Sequence, residues 1–212
     1  TFNVFIQLGA ILAVVWHYRV LFLNVLRHAT APANRRFALN LLIAFLPAAV
    51  IGFLARDFIK QRLFSTGVVA IALIVGGVAI LLIERWQPAT RHPSVEELPP
   101  RTALGVGLAQ VLALVPGVSR SGATILGGYA LGMSRRAAAE FSFFLAIPVM
   151  VAASGYDLLK SRDALSVADV PMFAVGFLVA FASALVVIRA FIGFVSRSSF
   201  AAFAWYRIAA GV

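Results

Sequence analysis

Residues 114–125 read LVPGVSRSGATI, a polar island set between two apolar runs. Pro116 and Gly117 break any helix that reaches them from the N-terminal side. Ser119, Arg120, Ser121 and Thr124 then place three hydroxyls and a guanidinium within six residues. The run before the break, 103–115, and the glycine-rich run after it, 123–133, each fall short of the roughly 20 residues a helix needs to cross hydrocarbon. The stretch therefore predicts a re-entrant helical hairpin over 103–133, closed at its base by Ser134, Arg135 and Arg136.

Such a hairpin needs a membrane around it, and the composition provides one. Of 212 residues, 62% are hydrophobic and 12% charged, with mean hydropathy +0.97, whereas soluble domains run about 45–50% apolar and about 25% charged. A soluble globular domain and a disordered chain are both excluded. Outward from the hairpin, full spans are predicted at 3–24, 37–55, 68–83, 137–156 and 170–194, and residues 200–212 begin a last one. The expected fold is an all-α polytopic membrane protein, one integral domain over 1–212 with about six transmembrane spans and the hairpin, arranged as an inverted-repeat bundle. Residues 87–102, QPATRHPSVEELPPRT, carry four prolines and form the one sizeable polar connection.

The net charge of +10 collects in short loops, as expected where basic residues stay cytoplasmic and meet anionic headgroups; no nucleic-acid partner is invoked. With the hairpin re-entrant, one side holds Arg27, Arg35, Arg36, Arg85, Arg91, Arg101, Arg135, Arg136 and Arg197, and the other Arg56, Lys60, Arg62, Lys160 and Arg162. Nine against five puts the first side in the cytoplasm. Made a full crossing, the hairpin would give six against eight, a weaker bias of opposite sense. An internal echo links LIAFLPAAVIGFLARDFIK at 42–60 to FFLAIPVMVAASGYDLLK at 143–160, each with a mid-span proline (Pro47, Pro148) and a closing Asp-x-x-Lys; weak symmetry of this kind marks repeat-built membrane folds. Cysteine is absent, which excludes disulfides, a thiolate metal site and a cysteine nucleophile.

An arginine at membrane depth costs about 2.5–3.5 kcal/mol on translocon scales, so it normally faces a watery cavity or a ligand. Serines also cap ordinary helices, and an arginine near a hairpin tip can snorkel. Here, however, a helix beginning near Ser119–Ser121 would turn its unpaired first-turn amides into the cavity, which suits an anion. Arg120 adds a planar fork matched to phosphate oxygens, and Ser119, Ser121 and Thr124 add donors. The group reads as a phosphate cradle. Gly117 and Gly122 imitate a Walker A loop, but Ala123 stands where its lysine would be and no strand precedes it, so a P-loop nucleotidase is rejected.

On these residues the chain resembles the bacterial undecaprenyl-diphosphate phosphatases, also called bacitracin resistance proteins. PGVSRSGAT at 116–124 is similar to their second signature, and the likeness extends through TFNVFIQLGAILAVV at 1–15, AAAEFSFFLAIP at 137–148 and DVPMFAVGF at 169–177. The resemblance implies a multi-pass hydrolase of the bacterial inner membrane. Such an enzyme removes the terminal phosphate of an isoprenoid diphosphate lipid, undecaprenyl diphosphate, and so recycles the carrier for cell-wall precursors. It further implies inverted repeats with two re-entrant hairpins meeting at mid-membrane, a site open to the periplasm, a divalent cation (Mg or Ca), and it leaves room for a homodimer. Ser119, Arg120, Ser121 and Thr124 would be the catalytic members, with Pro116, Gly117 and Gly122 shaping the substrate-binding loop.

The family's first signature, two glutamates four residues apart followed by a serine-rich stretch and a histidine, has no match in the sequence. The hairpin that bears it is expected upstream of Thr1, together with the nucleophile and the cation's carboxylates. His17 is no substitute and is expected at the interface. Glu140 is expected to pair with Arg136 one turn away, while Arg189 and Arg207 are left open between snorkelling and pairing within the bundle. Discontinuous helices also build carriers, so a transporter or flippase of an anionic lipid or solute is the rival.

Overall fold

The structure is a computed structural model and describes residues 2–160 and 170–212. Its helices are α1 (Phe2–His17), α2 (Arg19–Arg27), α3 (Pro32–Leu54), the single turn α4 (Arg56–Phe58) leading into a π-helical turn (Ile59–Leu63), α5 (Thr66–Trp86), α6 (Pro100–Val111), α7 (Arg120–Ala130), α8 (Arg135–Lys160), α9 (Val170–Val195) and α10 (Ala201–Gly211). Helices α3, α5, α8 and α9 are each long and apolar enough to cross a membrane, and the bent pair α1–α2 raises the number to five. The protein is an all-α, multi-pass membrane protein. Large apolar side chains such as Phe53, Leu82 and Val186 stay exposed around the outside, as a lipid-facing belt requires.

The first span differs from the expected straight helix over 3–24. It breaks at Tyr18, and α2 turns 74° away from α1. The residues beyond the break include Arg19, Asn24 and Arg27. Arg19 donates to the freed Trp16 carbonyl at 3.2 Å, and the Tyr18 ring packs edge-on to Phe144 at 4.7 Å.

Helix α8 is the centre of the bundle: half of its apolar window is buried, against 11–17% for the other three long helices. Phe22 and Phe37 join Tyr18 around Phe144, with ring centroids 5.6 and 5.5 Å away. At one end of the molecule Glu84, closing α5, takes both Arg135 Nη2 at 2.8 Å and the Phe200 amide at 3.0 Å, which joins the starts of α8 and α10. The polar connection 87–99 folds over the same end. Asn40 donates to Leu98 O at 2.7 Å and Arg36 to Glu96 O at 2.8 Å, while the Arg91 amide bonds Gly132 O and the Ser134 amide bonds His92 O. Both feet of the α6–α7 hairpin therefore stand at this basic end.

The contacts that climb the hairpin fix the direction of its neighbours. Asn40 on α3 meets Leu98 at the hairpin's foot, and Gly52 faces Leu114 near its tip. On α8, Ala138 lies against Gly128, Ser142 against Thr124, and Met150 against Arg120. Helices α3 and α8 thus run in the same direction. The sequence echo relates two parallel spans and does not by itself form an inverted pair. Its two prolines sit inside unbroken helices; the side chains of Asp157 and Lys160, and Arg162, lie outside the described residues. Close packing of α6 on α3 depends on Gly107, where a Cβ would come within 2.6 Å of the Ala44 carbonyl, in keeping with small residues at membrane helix interfaces.

Candidate active site

The break between α6 and α7 is built residue by residue from the sequence. Val115 is extended (φ −78°, ψ 123°), the conformation the following proline favours. The Val118 amide donates back to the Val115 carbonyl at 3.1 Å, and Gly117 takes φ +90°. Proline at the second position and a positive-φ glycine at the third are the marks of a type II turn. Gly117 also lies against α5, where a Cβ would stand 2.7 Å from Val69 O. The turn is seated on a neighbouring helix rather than hanging free.

Ser119 then caps α7: its Oγ accepts from the Gly122 amide at 3.1 Å and its carbonyl from the Ala123 amide at 2.8 Å. The amides of Arg120 and Ser121, in the first turn, have no partner within the helix. Ser119 Oγ and Ser121 Oγ face each other at 3.2 Å, and Ser121 is exposed. The Arg120 guanidinium turns onto α8, where Nη2 meets the Met150 thioether at 3.7 Å. Its Nη1 is buried with no hydrogen-bond partner. Both ion pairs among the described residues belong to other arginines, Arg135 with Glu84 and Arg136 with Glu140.

Thr124 stands apart from the other hydroxyls. It is 2% exposed, with Oγ1 at 3.0 Å from Arg120 O, 3.2 Å from Ser121 O and 2.6 Å from Ser142 Oγ. A carbonyl can only accept, so the Thr124 proton goes to the backbone and Ser142 donates to Thr124. This hydroxyl holds α7 to α8 instead of facing open space. Pro116 and Gly117 shape the turn, and Gly122 supplies the capped amide. Met150 lies fifteen residues into α8, roughly 22 Å from its start at about 1.5 Å per residue, so the tip sits deep and toward the end opposite the basic loops.

An arginine with no carboxylate partner among the described residues, at the start of a helix whose first-turn amides lack intrahelical partners and which carries two hydroxyls, is an arrangement of groups suited to an anion. A sequence model of the family described as bacitracin resistance protein BacA matches residues 1–212. The chain belongs to that family. It is 56% identical over 211 residues to undecaprenyl-diphosphatase 2 of Paramagnetospirillum magneticum, covering 100% of this chain and 81% of that protein. It is 53% identical to the undecaprenyl-diphosphatase of Nitrosomonas europaea over 211 residues (100% and 77%) and 50% identical to that of Ectopseudomonas mendocina over 212 (100% and 77%).

In this member of the BacA family the divalent cation that the resemblance implies finds no cage: among the described residues no three His, Asp or Glu side chains converge. The donors around Arg120 are hydroxyls and a thioether, which do not fit Mg²⁺ or Ca²⁺ coordination by carboxylates. Three residues escaped the sequence reading. Ser142, Met150 and Ser154 fall on one stripe of α8 at four- and eight-residue spacing, and Ser154, 2% exposed, donates to Gln7 Oε1 at 3.3 Å. The stripe is visible in the sequence only once the partner of that face is known. The two arginines left open part company: Arg189 is exposed, while Arg207 reaches inward to Ala72 O and Gly117 O. The Arg136–Glu140 pair forms as expected, at 3.0 Å.

Proposed function

We propose that the protein hydrolyses undecaprenyl diphosphate to undecaprenyl phosphate and inorganic phosphate in the bacterial inner membrane, with the α6–α7 hairpin re-entrant and its tip open to the periplasm. The observation that carries this reading is the buried, unpartnered Arg120 Nη1 at the N-terminus of α7. A guanidinium kept without a carboxylate at that depth is costly unless an anion arrives to meet it. The names of the relatives, undecaprenyl-diphosphatases, support reading the lipid diphosphate as that anion.

In this reaction the bond from the terminal phosphorus to the bridging oxygen breaks, the bridging oxygen leaves with the lipid phosphate, and the terminal phosphoryl group ends on water oxygen. Arg120 grips nonbridging oxygens through its fork, and the amides of Arg120 and Ser121 with the Ser119 and Ser121 hydroxyls complete the cradle. Charge that builds on the transferring group is thereby met by donors already in place, the largest single contribution in most such enzymes. Thr124 and Ser142 keep α7 in register on α8. Sunk among apolar helices, the site receives a headgroup whose isoprenoid tail remains in lipid.

The test is phosphate release from undecaprenyl diphosphate by the purified protein in detergent. Arg120→Ala is expected to lower kcat by about 10²–10³-fold or more, and Arg120→Lys to recover little, since an ammonium cannot make the bidentate contact. Wild-type turnover by Arg120→Ala, or lipid movement across proteoliposomes without phosphate release, would overturn the reading.

A further inference from the structure

The Pro-Gly turn is held from two sides. On one, the Gly117 backbone rests against Val69 of α5. On the other stands Arg207, contributed by α10, ninety positions away in sequence. Its Nη2 donates to Gly117 O at 3.0 Å and to Ala72 O at 3.1 Å, so a single nitrogen ties the turn to α5. The guanidinium fills the space left by Gly76, where any Cβ would collide with it. Its Nε is buried without a partner, and neither ion pair among the described residues includes it.

This arrangement is expensive for packing alone. An apolar side chain at 207 would join α10 to α5 without sinking a charge, and Gly76 gives up helix propensity to make room. What the charged nitrogen achieves here, and an apolar side chain cannot, is to reach two carbonyls on separate elements, one of them in the turn that precedes the phosphate cradle. We propose that Arg207 is a positioning residue. By holding the Gly117 carbonyl it fixes the 115–118 turn, and through that turn it aims the α7 amides and Arg120 at the terminal phosphate. The inference rests on the phosphatase reading above and deepens it; Arg207 acts through Gly117 and not on substrate.

Two variants approach the contact from opposite directions. Arg207→Met removes the guanidinium. Gly76→Ala keeps the arginine and its charge, and favours helix, but displaces the flexible end of the side chain from both carbonyls. Each is expected to lower kcat/KM for undecaprenyl diphosphate about 10–100-fold, the scale of an ångström-sized misplacement, with the loss mostly in kcat. Arg207→Lys, whose ammonium has donors for both carbonyls but lacks the planar guanidinium that packs against Gly76, falls between. Because the lesion works through Arg120, Arg120→Ala should cost less in the Arg207→Met background than in the wild type.

Amide hydrogen exchange at residues 118–123 should quicken at least tenfold in both variants while α9 is unchanged, whether or not the protein turns over. A purely structural role would lower the yield or the melting midpoint and leave turnover per folded molecule and the Arg120 effect intact; that result overturns the proposal. If the wild type hydrolyses the lipid and both variants stay within twofold of it, the positioning role falls and the phosphatase reading stands. If the wild type releases no phosphate, that reading falls, and unchanged exchange at 118–123 would then remove the positioning role as well.

Discussion

Gly117 concentrates the constraints on the tip. Its φ of +90° is a conformation that L side chains rarely adopt, and an added Cβ would meet Val69 backbone at 2.7 Å and 2.8 Å, atoms that cannot swing aside. Gly117→Ala should therefore cost on the order of 1–3 kcal/mol in backbone strain, with more from the clash, and should lower both the melting midpoint in detergent and phosphate release. Gly122→Ala provides the contrast: its Cβ would touch only the Ser119 side chain, at 3.1 Å, so the fold should hold while the cap loosens. A melting midpoint for Gly117→Ala equal to that of the wild type would contradict the close approach to α5. The turn was legible because proline and glycine act on their own backbone, whatever surrounds them. The partners of that turn, Val69 and Arg207, were not, because nothing local says which helix will lie beside it.

Among the elements, the two hairpin arms depend on α8 for their register. Thr124 and Ser142 form a hydroxyl–hydroxyl contact between α7 and α8, and both residues are nearly inaccessible (2% and 6% exposed). Thr124→Val preserves the shape but leaves the Ser142 hydroxyl without its partner, a loss of about 1–3 kcal/mol. The double variant Thr124→Val/Ser142→Ala removes both polar groups and should recover most of that loss in thermal melts. If it proves no more stable than the single variant, Ser142 has another partner and the two helices are not coupled through this pair. Arm length pointed to a hairpin from sequence, since the runs 103–115 and 123–133 each fall short of the roughly 20 residues a crossing needs. The break at Tyr18 escaped because hydropathy across 3–24 averages Arg19 and Asn24 with the leucines around them, and the seat for Tyr18 on Phe144 is a tertiary contact that no local average records.

Across the whole molecule, the hydrogen bonds that gather 87–99, the hairpin's feet and the starts of α8 and α10 at one end collect Arg27, Arg36, Arg85, Arg91, Arg101, Arg135, Arg136 and Arg197 on the same side as the chain path requires. Arg56 and Tyr156 meet at the other end, 3.2 Å apart. The positive-inside rule predicts an orientation with the basic end in the cytoplasm, which would leave the deep tip toward the periplasm. The absence of cysteine makes this directly measurable, since any thiol introduced is the sole one in this sequence. Gln61→Cys, in the π-helical turn, should react with a membrane-impermeant maleimide in intact spheroplasts. Thr90→Cys and Ser199→Cys, both at exposed positions, should react only after permeabilisation. Labelling of Thr90→Cys in intact spheroplasts together with protection of Gln61→Cys would invert the orientation and move the phosphate cradle to the cytoplasmic half. Labelling of all three from one side would mean that α5 does not cross, and would undercut the membrane depth on which the cost of an unpaired Arg120 is argued.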